Sequence, residues 1–223
     1  MIEIAEAEKL QTELSRKIIM EDRLPSNLRY VAGTDVEYDK ETDLIAGAIV
    51  IIDYRTVRPI EIATHVMQCT FPYVPGLFSF REMPPLLEAY KKLKQLPELI
   101  ICDGHGIAHP RRFGLASHLG VELDLPTIGC AKTRLYGNYK EPNEMQGSSS
   151  ALLDEETHEE IGKVLRTQKK INPVFVSVGH KISLATACNI VLHMTTTFRL
   201  PETTRLADQY AAEALQKHKA QQG

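Results

Sequence analysis

In the stretch Leu99-Ile100-Ile101-Cys102-Asp103-Gly104-His105-Gly106, four apolar residues run into an acid and two glycines. A run this short, closed by turn residues, is a strand buried on both faces that ends at Asp103. Before it, Phe80 to Leu96 carries apolar residues at helical spacing, so a helix feeds the strand. After it the alternation continues. A helix is expected near Phe113 to Leu119, strands at Thr127 to Ala131 and Pro173 to Val178, and helices after Ser183 and Pro201. Such alternation predicts an α/β layered sheet. Towards the start of the chain, Ala7, Leu10, Leu14 and Ile18 predict an amphipathic helix reaching about Asp22, with Pro25 and Asn27 beyond its end. The β-branched segments Tyr30 to Tyr38, Leu44 to Asp53 and Arg58 to Cys69 follow, separated by short polar turns, and read as an antiparallel meander. A meander joined to buried parallel strands makes the sheet mixed. Glu141 to Ser150, with Pro142, Gly147 and three serines, reads as an exposed loop.

The 223 residues suit one domain spanning 1–223, and a hydrophobic share of 43% is enough to close a core. The formal charge of −3 does not advertise a polyanion partner, so any nucleic-acid function has to be argued locally. No apolar run has membrane-spanning length and no basic-then-apolar leader follows Met1, so a cytoplasmic protein without membrane contact is expected. Cys69, Cys102, Cys130 and Cys188 are widely spaced and set among apolar residues, as reduced core thiols are.

Asp35 stands within the apolar strand Val31-Ala32-Gly33-Thr34-Asp35-Val36, where an unpaired carboxylate costs several kcal/mol to desolvate. An arginine elsewhere could pair with it. Asp103 has the same character at the carboxyl end of its own strand, and two such acids without an adjacent base suggest a divalent metal between them. Oxygen ligands favour Mg²⁺, with Mn²⁺ as a substitute. The loop from Asp103 to Gly114 adds Gly104, Gly106, His105, His109, Arg111 and Arg112. Glycines admit a ligand close to the backbone and arginines suit phosphates, although a solvated βα loop would read the same way. Zinc on His105 and His109 has weak support, with no cysteine at ligand spacing. Upstream, Pro72-Tyr73-Val74-Pro75-Gly76 is a stiff loop presenting an aromatic ring, shaped either to part stacked bases or to cover the core. Glu82 lies near the start of the next helix.

Taken in order, these segments resemble the endonuclease V family, which acts on deoxyinosine. The resemblance is carried by Gly33-Thr34-Asp35-Val36, the Pro72 to Gly76 loop, Phe78-Ser79-Phe80-Arg81-Glu82, Asp103 to Gly114, Thr127-Ile128-Gly129 with Ala131-Lys132, Gly179-His180 and Leu200-Pro201-Glu202. It covers nearly the whole chain. It implies an RNase H-like mixed five-stranded sheet with helices on both faces. It also implies metal ligation by Asp35, Asp103 and Glu82, with Asp208 at the fourth position, and Lys132 near the scissile phosphate. His109 is expected in the nucleic-acid-binding loop, with Tyr73 as wedge and the displaced base in a pocket walled by Gly104 and Gly106. The implied reaction is hydrolysis of the second phosphodiester bond 3′ to hypoxanthine by a monomer. Its partner is deoxyinosine-containing DNA, with inosine RNA as the alternative substrate. Two further readings are a non-cutting binding module on the same fold and a hydrolase using Cys102 with His105 or His109.

Overall fold

The computed structural model describes residues 2–222. Its sheet is mixed and carries helices on both faces. Strands β1 (Tyr30–Tyr38), β2 (Leu44–Asp53) and β3 (Arg58–Gln68) form the antiparallel meander, and β1 pairs in parallel with β4 (Leu99–Cys102), which pairs in parallel with β5 (Thr127–Ala131). These five are extended, not closed off, at β5. Strands β6 (Asn138–Tyr139), β7 (Ser149–Leu153), β8 (Glu160–Leu165) and β9 (Val174–His180) continue the same sheet, in the order β3-β2-β1-β4-β5-β9-β8-β7-β6. The expected five-stranded sheet is therefore nine-stranded. Of the four beyond the five, β9 is the strand expected at Pro173 to Val178, and β7 starts inside the polar segment expected to be a loop. There the fully engaged Arg166 holds the backbone, donating to the carbonyls of Pro142, Asn143 and Ile171 while pairing with Glu141.

Helices α2 (Phe78–Tyr90) and α3 (Leu115–Leu123) cover one face, burying Leu86, Ala89, Ala116 and Leu119 against Ile49, Ile51, Ile100 and Cys102. Helices α4 (Leu184–Met194) and α5 (Glu202–Gln222) cover the other, against Val50, Ile52, Leu99 and Ile101. Apolar side chains on both faces of β2 and β4 explain their unbroken hydrophobic runs. Two helices end earlier than their spacing predicts. Helix α2 stops at Tyr90, beyond which the N–H groups of Lys94 and Gln95 bond the Glu61 carboxylate instead of continuing the helix. Helix α1 (Ile4–Ser15) stops well before Asp22. Beyond it, the Ile19 N–H donates to His180 Nδ1, and Asp22 accepts from Ser183 N–H and Thr186 Oγ1 at 2.7 Å each. The apolar spacing of Ile18 serves packing against the α4 and α5 side of the core instead of helix.

Gly33 sets how closely α5 approaches the sheet. A Cβ at that position would lie 2.1 Å from the Thr203 carbonyl carbon, so only glycine lets the start of α5 rest on β1. We expect Gly33→Ala to destabilise the protein by at least the 1–3 kcal/mol typical of overpacking. The same variant should lower the activity that the resemblance implies beyond what its loss of folded protein explains, because α5 carries Asp208. Activity unchanged at a temperature where the variant is folded would separate this packing contact from the site.

Candidate active site

The parallel register pairs Thr34 with Cys102, so the residues that follow, Asp35 and Asp103, leave adjacent strands side by side. Asp208 comes over them on α5, and oxygens of Asp35, Asp103 and Asp208 lie within 4.8 Å of one another. Lys132, just beyond β5, places its ammonium among them: Nζ is 2.5 Å from Asp103, 3.1 Å from Asp208 and 3.5 Å from Asp35. Asp35 is thus paired through lysine, not arginine. Its carboxyl is pushed well above the ordinary range, first by burial and then by Asp103, with Lys132 opposing both. Burial opposes charge on Lys132, but Asp103 and Asp35 outweigh it and hold the ammonium protonated above its usual range. One cation among three carboxylates leaves negative charge uncompensated. A set of hard oxygen donors with that charge fits Mg²⁺ or Mn²⁺.

Glu82 stands apart from this group. It sits in the second turn of α2, its Oε1 accepts a 2.9 Å hydrogen bond from Tyr38, and burial with repulsion from Asp103 pushes its carboxyl up to about 7. It lines a cavity of about 140 Å³ together with Asp103, Gly104, His105, His109 and Leu135. Gly104 lines this cavity. Gly106 does not: it lies behind, where a Cβ would meet the Val178 carbonyl oxygen, and its N–H donates to Ser177 Oγ.

The aromatic loop borders the same cavity. Pro72, Tyr73 and Pro75 are exposed, Tyr73 to 69%, and its ring meets Phe78 edge-on at 5.1 Å. A ring this exposed does not cap the core. Val74 turns inward against Phe71 and Leu77. Gly76 ends the loop with φ +80°, a conformation that favours glycine.

His109, Arg111 and Arg112 all engage groups of the protein itself. His109 Nε2 faces the Gly76 carbonyl at 2.9 Å while Nδ1 accepts the Arg111 N–H, so both ring nitrogens are occupied and zinc has no place there. Burial pushes the His109 ring down to about 4, which keeps it neutral. Arg111 donates to Gln11 and Gly76 and pairs with Glu8, and Arg112 pairs with Asp154 and Glu159. These ion pairs form because the loop folds back over α1 and the Asp154 turn. Cys102 is fully buried with its thiol pushed up to about 12, which removes it as a nucleophile. All four cysteines are free. Three contributors escaped the sequence. Tyr38 and Gln11 carry no motif, and Arg199, which donates to the backbone oxygens of Lys132 and Pro173, resembles any surface arginine in a polar segment.

The family model for endonuclease V matches residues 12–209. The chain belongs to the endonuclease V family. It is 49% identical over 210 residues to an endonuclease V of Dictyoglomus thermophilum, covering 94% of this chain and 90% of that protein. The endonuclease V crystal structure from Streptomyces avermitilis superposes with a TM-score of 0.93 at 45% identity, covering 98% and 96% of the two chains. That of Ciona intestinalis endonuclease V, in complex with a 24mer DNA containing an inosine followed by a ribo-adenosine, superposes with a TM-score of 0.84 at 31% identity, covering 96% and 98%. Membership makes the chain a nuclease, and among its described residues no helix is long and apolar enough to cross a membrane.

Lys132→Met leaves the three carboxylates facing one another without their cation. In EDTA the variant should melt a few degrees below the parent, about 1–2 kcal/mol after allowing for the 38% exposure of the Lys132 side chain. Mg²⁺ should raise its melting temperature more than it raises that of the parent. A smaller Mg²⁺ shift in the variant would mean that the ammonium and the metal do not share the site.

Proposed function

We propose that the protein is a metal-dependent endonuclease that recognises hypoxanthine in nucleic acid, serves DNA repair in the cytoplasm and works as a monomer. It hydrolyses the second phosphodiester bond 3′ to the lesion, leaving a 3′-hydroxyl and a 5′-phosphate. The observation that carries this reading is the convergence of Asp35, Asp103 and Asp208 on Lys132 beside a cavity lined by Gly76, the last residue of the loop that exposes Tyr73. The inosine-containing DNA bound by the Ciona relative supports the base assignment.

Asp35, Asp103 and Asp208 would hold Mg²⁺ or Mn²⁺, with Glu82 approaching from the cavity side. Such an ion, when bound, lowers the pKa of an attacking water and neutralises charge on the leaving oxygen. Lys132 reaches the same point from the end of β5 and contributes positive charge to the phosphate as it gains negative charge in the transition state. Tyr73 fills the gap left by the displaced base, its ring stacking on the exposed neighbours for roughly 1–3 kcal/mol. The base enters the cavity lined by Gly104 and Leu135, where backbone approach is unobstructed by a side chain at residue 104.

Matched DNA and RNA oligomers, each with one inosine, incubated with and without Mg²⁺ test the reading and tell its two substrates apart. Cleavage is expected only with the metal. Asp35→Ala and Asp103→Ala should cut at less than a hundredth of the parent rate, a loss above about 2.7 kcal/mol, yet still bind inosine-containing DNA in Ca²⁺. A variant that retained a tenth of the rate would overturn the ligand assignment. Binding without cleavage by the parent would favour the non-cutting module.

A further inference from the structure

The two buried residues of α1 are Ala7 and Gln11, four apart on one face. Both point at the aromatic loop. Ala7 packs with Phe71, Leu77 and Val74, which flank Tyr73 on either side in sequence. Gln11 is fully buried, lines the cavity and uses both ends of its amide. Its Nε2 donates to the Gly76 carbonyl at 2.9 Å and to the Phe113 carbonyl at 3.1 Å, and its Oε1 accepts from Arg111 Nε at 2.6 Å. The Gly76 carbonyl also accepts from Arg111 Nη2 at 3.1 Å and from His109 Nε2.

We propose that Gln11 is a positioning residue for base recognition, fastening Gly76 so that the Tyr73 wedge and the base cavity keep a fixed spacing. The physical need arises at Gly76. Prolines stiffen the loop on both sides of Tyr73, but the loop ends on a glycine at positive φ, the one point with backbone freedom to spare. Three donors on one carbonyl remove that freedom before nucleic acid arrives, so the ordering cost is not drawn from binding energy. The clamp also explains why His109 and Arg111 turn inward. Gln11 lies one residue outside the span matched by the family model.

The inference rests on the cavity being the hypoxanthine pocket. Its test measures, in Ca²⁺, the affinity of the full chain for inosine-containing and undamaged duplexes of one sequence. The proteins compared are the parent, Gln11→Leu, Gln11→Glu, Tyr73→Ala and the Tyr73→Ala/Gln11→Leu double variant. Gln11→Leu should lower the inosine-to-undamaged affinity ratio about tenfold, while Ca²⁺ affinity stays at the parent value. Gln11→Glu keeps the acceptor for Arg111 but turns a carboxylate onto two carbonyls, and should lose the ratio as the leucine variant does. In the double variant the Gln11 change should add almost nothing to the loss from Tyr73→Ala, the non-additivity of residues acting as a unit. A lowered melting temperature with an unchanged ratio would overturn the proposal, as would additive losses in the double variant. A parent with no inosine preference would instead overturn the base assignment beneath it, and that result is read before any variant is made.

Discussion

Asp35 and Asp103 emerge side by side because β1 and β4 pair in parallel through Thr34 and Cys102, and neither carboxylate can move away from the other without breaking that ladder. Both side chains are only 13% exposed, so their repulsion is weakly screened and has to be met by a cation. Lys132 supplies one from the end of the neighbouring strand β5. Asp208 then joins from α5, whose closeness to the sheet is permitted by the missing side chain of Gly33. The ammonium occupies the point at which the carboxylates converge.

The opposite bank of the site is built differently. Asp35 and Asp103 stand on or at the end of strands packed against helices on both faces, whereas Tyr73 stands on a loop whose rigidity comes from side chains. Prolines stiffen its start, Val74 anchors its middle, and Gln11, His109 and Arg111 hold its end. Ala7 and Gln11 are the buried residues of α1, which ties that helix to the aromatic loop rather than to the main core. The paired arginines belong to the same economy. Arg111 closes the clamp and Arg112 pins the loop to the Asp154 turn, so local positive charge in the sequence is spent on shape.

The alternating strands and helices, the meander, Asp35, Asp103 and Tyr73 were legible because each follows from a local rule. Apolar runs ending in turn residues are strands, a buried carboxylate demands a partner, and prolines around an aromatic ring make it rigid. The reading went astray where a local pattern served a distant partner. Ile18 looked helical but packs beyond the helix end, and the polar segment before Ser149 leads into an additional strand. Gln11 and Tyr38 gave no sign of themselves, since an amide or a phenol acquires meaning only from what it faces.

Sequence by itself determined the fold class, the family and the residue types of the acidic site, because periodicity and motif order are properties of the chain read in line. Tertiary structure decided how these acids sit, bringing Asp208 together with Asp35 and Asp103 and leaving Glu82 one step back on Tyr38. It alone also decided that His109 and the arginines hold the loop from inside. Hydrogen bonds and Coulomb interactions act over a few ångströms in space, and residues 11, 76 and 111 come within that reach only after the chain has folded.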